Sequence, residues 1–265
     1  MQRIRQALIA CLFVLSAAVL CVPALADLGM ANTQDQDAAA QDSQTQAAQD
    51  DPRAALEAIQ NMVIGEWRGV GQPRRGSSRG SWIETATWSW EFQGDQASLV
   101  FSIEDGKFYS SGEIKSGDEP NTFVFTGTTA DGEKESFSGK RDEDGKLSFM
   151  AAEEAKNGRP ARISFRTVAN GDRLLILLER QLAEDRFSRL AEIGYTRQGS
   201  GFGQGASTGP ECVVTGGLGT IPVEHDGKTY YVCCTGCQGL FDEDPERILA
   251  EYAKRKEAEK NKKNQ

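Results

Sequence analysis

The sequence predicts a mainly β protein in two parts, an up-and-down antiparallel barrel followed by a small α+β module built around cysteines. Three observations carry this prediction. Ten short runs with period-two alternation fill residues 56–197, from "VIGEWRGV" to "RFSRLAEIGYTR". Turn signals at Gln93-Gly94-Asp95, Asp105-Gly106, Asp131-Gly132, Asp144-Gly145 and Asn170-Gly171 punctuate them. Four of the six cysteines, Cys212, Cys233, Cys234 and Cys237, crowd into the last fifth of the chain.

Residues 1–26 read as a signal peptide. "MQRIRQ" is basic, an apolar run from Ala7 to Leu20 follows, and Ala24-Leu25-Ala26 places small residues where a signal peptidase cuts. A membrane anchor would need about 20 unbroken apolar residues, and Pro23 with the polar stretch behind it interrupts this run. The expectation is therefore export to the periplasm or the extracellular space, with no membrane span after cleavage. Cleavage removes Cys11 and Cys21, and also Arg3 and Arg5, which leaves the chain two units more negative than its formal −9. Such a surface disfavours nucleic acid and anionic lipid as partners. Residues 27–54, rich in Gln, Asp and Ala, have little to bury and read as a disordered tether.

The ten runs of residues 55–198, joined by hairpin turns, form a meander of about 140 residues, and closure into a barrel removes its exposed edges. Gly65-Glu66-Trp67 on the first strand and Arg197 closing the last resemble the lipocalin and fatty-acid-binding barrels of the calycin group. That resemblance implies a structural plug in which Arg197 stacks over Trp67. It also implies a pocket for a small apolar ligand at the open end, set against an interior filled by its own side chains. The one histidine, His225, lies outside the barrel, which rules out histidine-ligated haem or a Ser-His-Asp triad inside it. Glu153-Glu154 and Asp142-Glu143-Asp144 sit in turn-like charged stretches and read as solvated surface. No catalytic residues are expected.

Residues 199–210, "GSGFGQGASTG" and Pro210, are a Gly/Ser linker. Residues 211–253 form the module, with Asp226-Gly227 turning a hairpin and Asp244-Pro245-Glu246 opening a helix. The charged residues 254–265 read as a frayed tail. A unit of about 45 residues needs a staple. Cys212, 20 residues, Cys233, three residues and Cys237 supply one.

This spacing resembles the YHS domain and the related TRASH metal-binding modules, whose core reads "GKxYYFCxxGCxxxF". The matching residues are Gly227, Lys228, Tyr230, Tyr231, Cys233, Gly236, Cys237 and Phe241, with "CVVTGG" and "DPERIL" as flanking matches. The resemblance implies a treble-clef-like module holding a soft metal ion, zinc or copper. Thiolate chemistry points the same way. Cys234, where the family often has Ser, is a fourth thiol and creates the CxxC Cys234-Thr235-Gly236-Cys237. Two alternatives stay open beside the metal site: disulfides acting as a structural staple for partner contacts, and thiol-disulfide exchange at the CxxC.

Within a helix, neighbouring side chains diverge by about 100°, so Cys234 is expected at the periphery of a three-thiolate site, entering as a fourth ligand for zinc. His225 pairs with Lys228 across the turn, roughly 16 Å from Cys233 at about 3.3 Å per residue. It is expected to be a surface histidine at a hairpin tip.

Overall fold

The computed structural model describes residues 52–155, 158–198 and 209–264. The leader, nearly all of the tether and most of the Gly/Ser linker lie outside the described residues. The barrel strands are β1 (Gly65–Gln72), β2 (Trp82–Gln93), β3 (Gln96–Glu104), β4 (Ser111–Ser116), β5 (Thr122–Thr128), β6 (Lys134–Arg141), β7 (Leu147–Ala151), β8 (Arg162–Val168), β9 (Arg173–Ala183) and β10 (Arg186–Arg197). They form a closed up-and-down antiparallel barrel in which β1 pairs with both β2 and β10. Each strand corresponds to one alternating run of the sequence, because alternation puts one side chain in two on the inner face.

The interior is aromatic. Phe125 packs against Phe101, Phe137, Phe149 and Phe165 with ring centroids 5.6 to 5.9 Å apart. A cavity of about 30 Å³ remains, lined by Glu84, Trp88, Tyr195 and neighbouring apolar side chains. That volume holds one or two waters. An apolar ligand would require these rings to rearrange.

One helix precedes the barrel. α1 (Pro52–Val63) takes in the last residues of the stretch read as tether, and it buries Leu56, Ile59 and Val63 in the barrel core. The i, i+3, i+7 spacing of those residues is a helical signal. Trp67 is fully buried and donates Nε1 to the Val63 carbonyl at 2.6 Å. Arg197 is its direct partner across β1 and β10, with the guanidinium 4.1 Å from the indole centroid and donating to the carbonyls of Asn61 and Ile64.

Glu84 points into the barrel, where Tyr195 Oη–H and Trp82 Nε1–H donate to its carboxylate. Burial raises its pKa above the ordinary 4.5 despite these hydrogen bonds. A carboxyl that holds its proton longer when folded than when unfolded loses stability as pH rises from the unfolded value toward the folded one. Glu84→Gln is expected to be more stable than the parent at pH 8 and similar to it at pH 4.5. Urea unfolding at the two pH values measures this, and a constant difference across them would contradict it.

The C-terminal module has a hairpin, β11 (Ile221–His225) and β12 (Lys228–Val232), then α2 (Thr235–Glu243) and α3 (Pro245–Lys263). Asp226 and Gly227 form the turn with φ of 49° and 71°, and His225 pairs with Lys228. Asp244 caps α3 by accepting from the Arg247 amide at 3.1 Å. The helix runs past residue 254 to Lys263, so the stretch read as a frayed tail is helical over most of its length. Arg255 explains why: its guanidinium reaches the carbonyls of Val213 and Val214 at 3.2 and 3.3 Å. Among the described residues no helix is long and apolar enough to cross a membrane.

Barrel and module fall within one compact unit. The module lies on the outer wall of β1 and β2, where Val70 and Ile83 join Val214, Leu240 and Phe241 in a second core. α2 approaches closely through two glycines. A Cβ at Gly236 would sit 2.7 Å from the Gln72 side chain, and one at Gly239 would sit 2.2 Å from Ser78.

Candidate metal centre

Backbone pairing closes the 20-residue gap between Cys212 and Cys233. Cys212 forms a parallel bridge with Tyr231 near the end of β12, and the Val213 amide donates to the Tyr231 carbonyl at 3.0 Å. The loop after Cys212 then folds back through Cys212 N–H to the Gly217 carbonyl and Gly216 N–H to the Cys212 carbonyl, at 2.6 and 2.9 Å. Cys233 follows β12 directly, and Cys237 sits in the first turn of α2.

These elements bring the sulfurs of Cys212, Cys233 and Cys237 within 4.8 Å of one another, with Cys233 and Cys237 at 3.5 Å. Cys212 and Cys237 are fully buried. All four cysteines of the module are free thiols. Three sulfurs about 4 Å apart suit one ion with bonds near 2.3 Å, so the cluster fits a soft metal.

The geometry around Cys234 differs from the helical expectation. α2 begins at Thr235, and Cys234 is its N-cap with extended backbone (φ −160°, ψ 167°). The 100° rotation between neighbours therefore does not apply, and the Cys234 sulfur comes within 3.5 Å of that of Cys237. Cys234 stands outside the group of three mutually close sulfurs. His225 is half-buried, with its ring edge-on to Phe241 at 6.4 Å and Nε2 3.5 Å from Asp226. Packing against α2 covers a residue expected at the surface.

The surroundings treat the four thiols unequally. Burial opposes charge on Cys212, but hydrogen bonds from Cys233, Cys237 and the Thr215 hydroxyl and amide outweigh it and hold this thiol well below its ordinary value. Contacts with Cys212, Cys233 and Cys234 push the Cys237 thiol up. Hydrogen bonds from Cys233 and Cys237 likewise hold the Cys234 thiol down, so negative charge falls first on Cys212 and Cys234.

No family model matches the sequence, and no curated protein matches it significantly. A crystal structure of Rv2717c from M. tuberculosis aligns with 54% of this chain and 97% of its own length, at 19% identity and a TM-score of 0.38.

Several residues that the sequence does not mark as functional surround the sulfurs. Thr215 links the barrel to the site, with Oγ1 3.4 Å from the Cys233 sulfur and 3.4 Å from Thr196 Oγ1 on β10. Arg68 on β1 donates Nε to the Val214 carbonyl and pairs with Glu251 on α3, both at 2.8 Å. Arg173 on β9 lies beside Thr196 on the outer face, and the thiols of Cys233, Cys234 and Cys237 act on it electrostatically. Their only sequence signal is parity, which assigns Arg68 and Arg173 to the outer face of their strands without saying what covers it.

Proposed function

We propose that this is an exported soft-metal-binding protein that holds one copper or zinc ion through Cys212, Cys233 and Cys237. The barrel provides the wall on which the site is built. The observation that carries this reading is the convergence of three thiols, two fully buried, from three separately positioned backbone segments. The basic, apolar leader supports export, and the likeness of the cysteine spacing to YHS and TRASH modules supports the metal. Cys234 serves as the fourth ligand when the ion demands tetrahedral coordination, as zinc does more than Cu(I).

The 3.5 Å separation of the Cys234 and Cys237 sulfurs also suits a second reading, a dithiol for thiol-disulfide exchange. The metal reading accounts for more, because dithiol exchange leaves the buried Cys212 without a role. Metal analysis of protein purified anaerobically under reducing conditions, with a parallel thiol count, separates the two. One ion per chain with four titratable thiols released on denaturation is expected. A metal-free chain carrying disulfides would sink the proposal. Cys234→Ser is expected to weaken zinc at least tenfold more than Cu(I), and an equal loss of both would remove Cys234 from its assigned role.

A further inference from the structure

The outer wall of the barrel carries a cation next to the residue that reaches the cysteine site. On β9 the residues Leu174, Ile176 and Leu178 fill the interior, so Arg173 projects outward. Its cross-strand partner on β10 is Thr196, the residue that contacts Thr215 and through it Cys233. Gly194 leaves room for the guanidinium, since a Cβ there would lie 3.2 Å from Arg173 Nη2. Arg173 makes no ion pair with a carboxylate among the described residues, its outer-face neighbour Thr196 reaches the site through Thr215, and the thiols of Cys233, Cys234 and Cys237 act on it electrostatically.

The other cations near the module are engaged elsewhere. Arg68 is matched by Glu251 at 2.8 Å. Arg255 spends its donors on the loop carbonyls and approaches Glu211 at 3.6 Å. A half-buried guanidinium needs an anion near it, and the groups set beside Arg173 are thiols.

We infer that Arg173 is a positioning and selectivity-determining residue of the cysteine site, serving as the charge partner of the metal-thiolate complex and favouring its more anionic forms. This rests on the metal reading above. Three thiolates around a monovalent ion carry a net charge of −2, and around a divalent ion −1. One fixed positive charge therefore stabilises the monovalent complex about twice as strongly, by Coulomb's law at equal distance. The barrel wall thereby biases the site toward Cu(I) whenever three thiolates are the whole ligand set.

The test uses the full chain carrying Cys234→Ser, so that both ions meet the same three thiolates. Competition against chromophoric chelators measures Cu(I) and Zn(II) affinity separately. Adding Arg173→Gln is expected to reduce Cu(I) affinity about tenfold more than Zn(II) affinity. Arg173→Lys, which keeps the charge, restores most of that ratio. Leu175→Glu provides an independent route if Arg173→Gln does not fold. The Leu175 side chain, like Arg173, lies within 4 Å of the Cβ position of Gly194, so a carboxylate there competes for the guanidinium and shifts the ratio in the same sense. Equal losses for both ions, or no loss, in Arg173→Gln and Leu175→Glu would overturn the inference while leaving the metal site standing. If wild type and Cys234→Ser bind neither ion, both readings fall together.

Discussion

Cys237→Ser is expected to lower bound metal from one ion per chain to well below stoichiometric, whereas His225→Ala leaves it intact. The Cys237 sulfur is fully buried, belongs to the group of three, and lies 3.5 Å from those of both Cys233 and Cys234. Serine preserves the size of the side chain and the start of α2, so the loss isolates ligation from folding. A hydroxyl is a hard donor that stays protonated near neutral pH, and it cannot replace a thiolate for a soft ion. His225 instead packs on Phe241 at the hairpin, so its removal changes local packing alone. Elemental analysis of both variants, with circular dichroism as a check on folding, decides the matter. Full metal content in the Cys237 variant would refute the assignment of the site.

Trp67→Ala is expected to destabilise the barrel by about 3–5 kcal/mol, the range for truncating a fully buried large aromatic. Three losses combine there. The cavity opens at the end sealed by α1, the Val63 carbonyl loses the indole donor, and Arg197 loses the ring over which its guanidinium sits at 4.1 Å. Trp67→Phe retains most of the volume but not the hydrogen bond, and should cost about 1–2 kcal/mol. Urea denaturation followed by far-ultraviolet circular dichroism gives both values. A loss below about 1 kcal/mol for the alanine variant would mean that α1 and Arg197 hold the closed end without the indole.

The barrel was legible in the sequence because its signal is local. Period-two alternation and Gly-containing turns specify each strand and most connections without reference to the rest of the chain. α1 carried a readable stripe in Leu56, Ile59 and Val63, but it sits beside a polar tract whose composition dominates that region. The far half of α3 had no such stripe. Its order comes from Arg255 and from Lys256, which pairs with Glu211 at 2.9 Å, and both partners are more than 40 residues away in sequence.

The cysteine site was legible in part for the same reason. The spacing of Cys212, Cys233 and Cys237 survives in the structure as proximity, whereas the place of Cys234 depended on where α2 begins, and helix starts are poorly fixed by sequence. The contribution of the barrel wall could not be read at all. Val70, Ile83, Arg68 and Arg173 occupy outward positions that alternation assigns to solvent, and only the docking of α2 and the Cys212 loop reveals that they are covered.

Placing the sulfurs against the barrel wall also ties completion of the cysteine site to closure of the barrel. β1 and β10 lie at opposite ends of the barrel sequence, so their pairing is the slow, high-contact-order step. Arg68 from β1 and Thr196 from β10 meet the cysteine loop together only after that pairing, and Arg68 spans 146 residues to reach the Val214 carbonyl. The barrel side of the cysteine site is therefore complete only once β1 and β10 have paired.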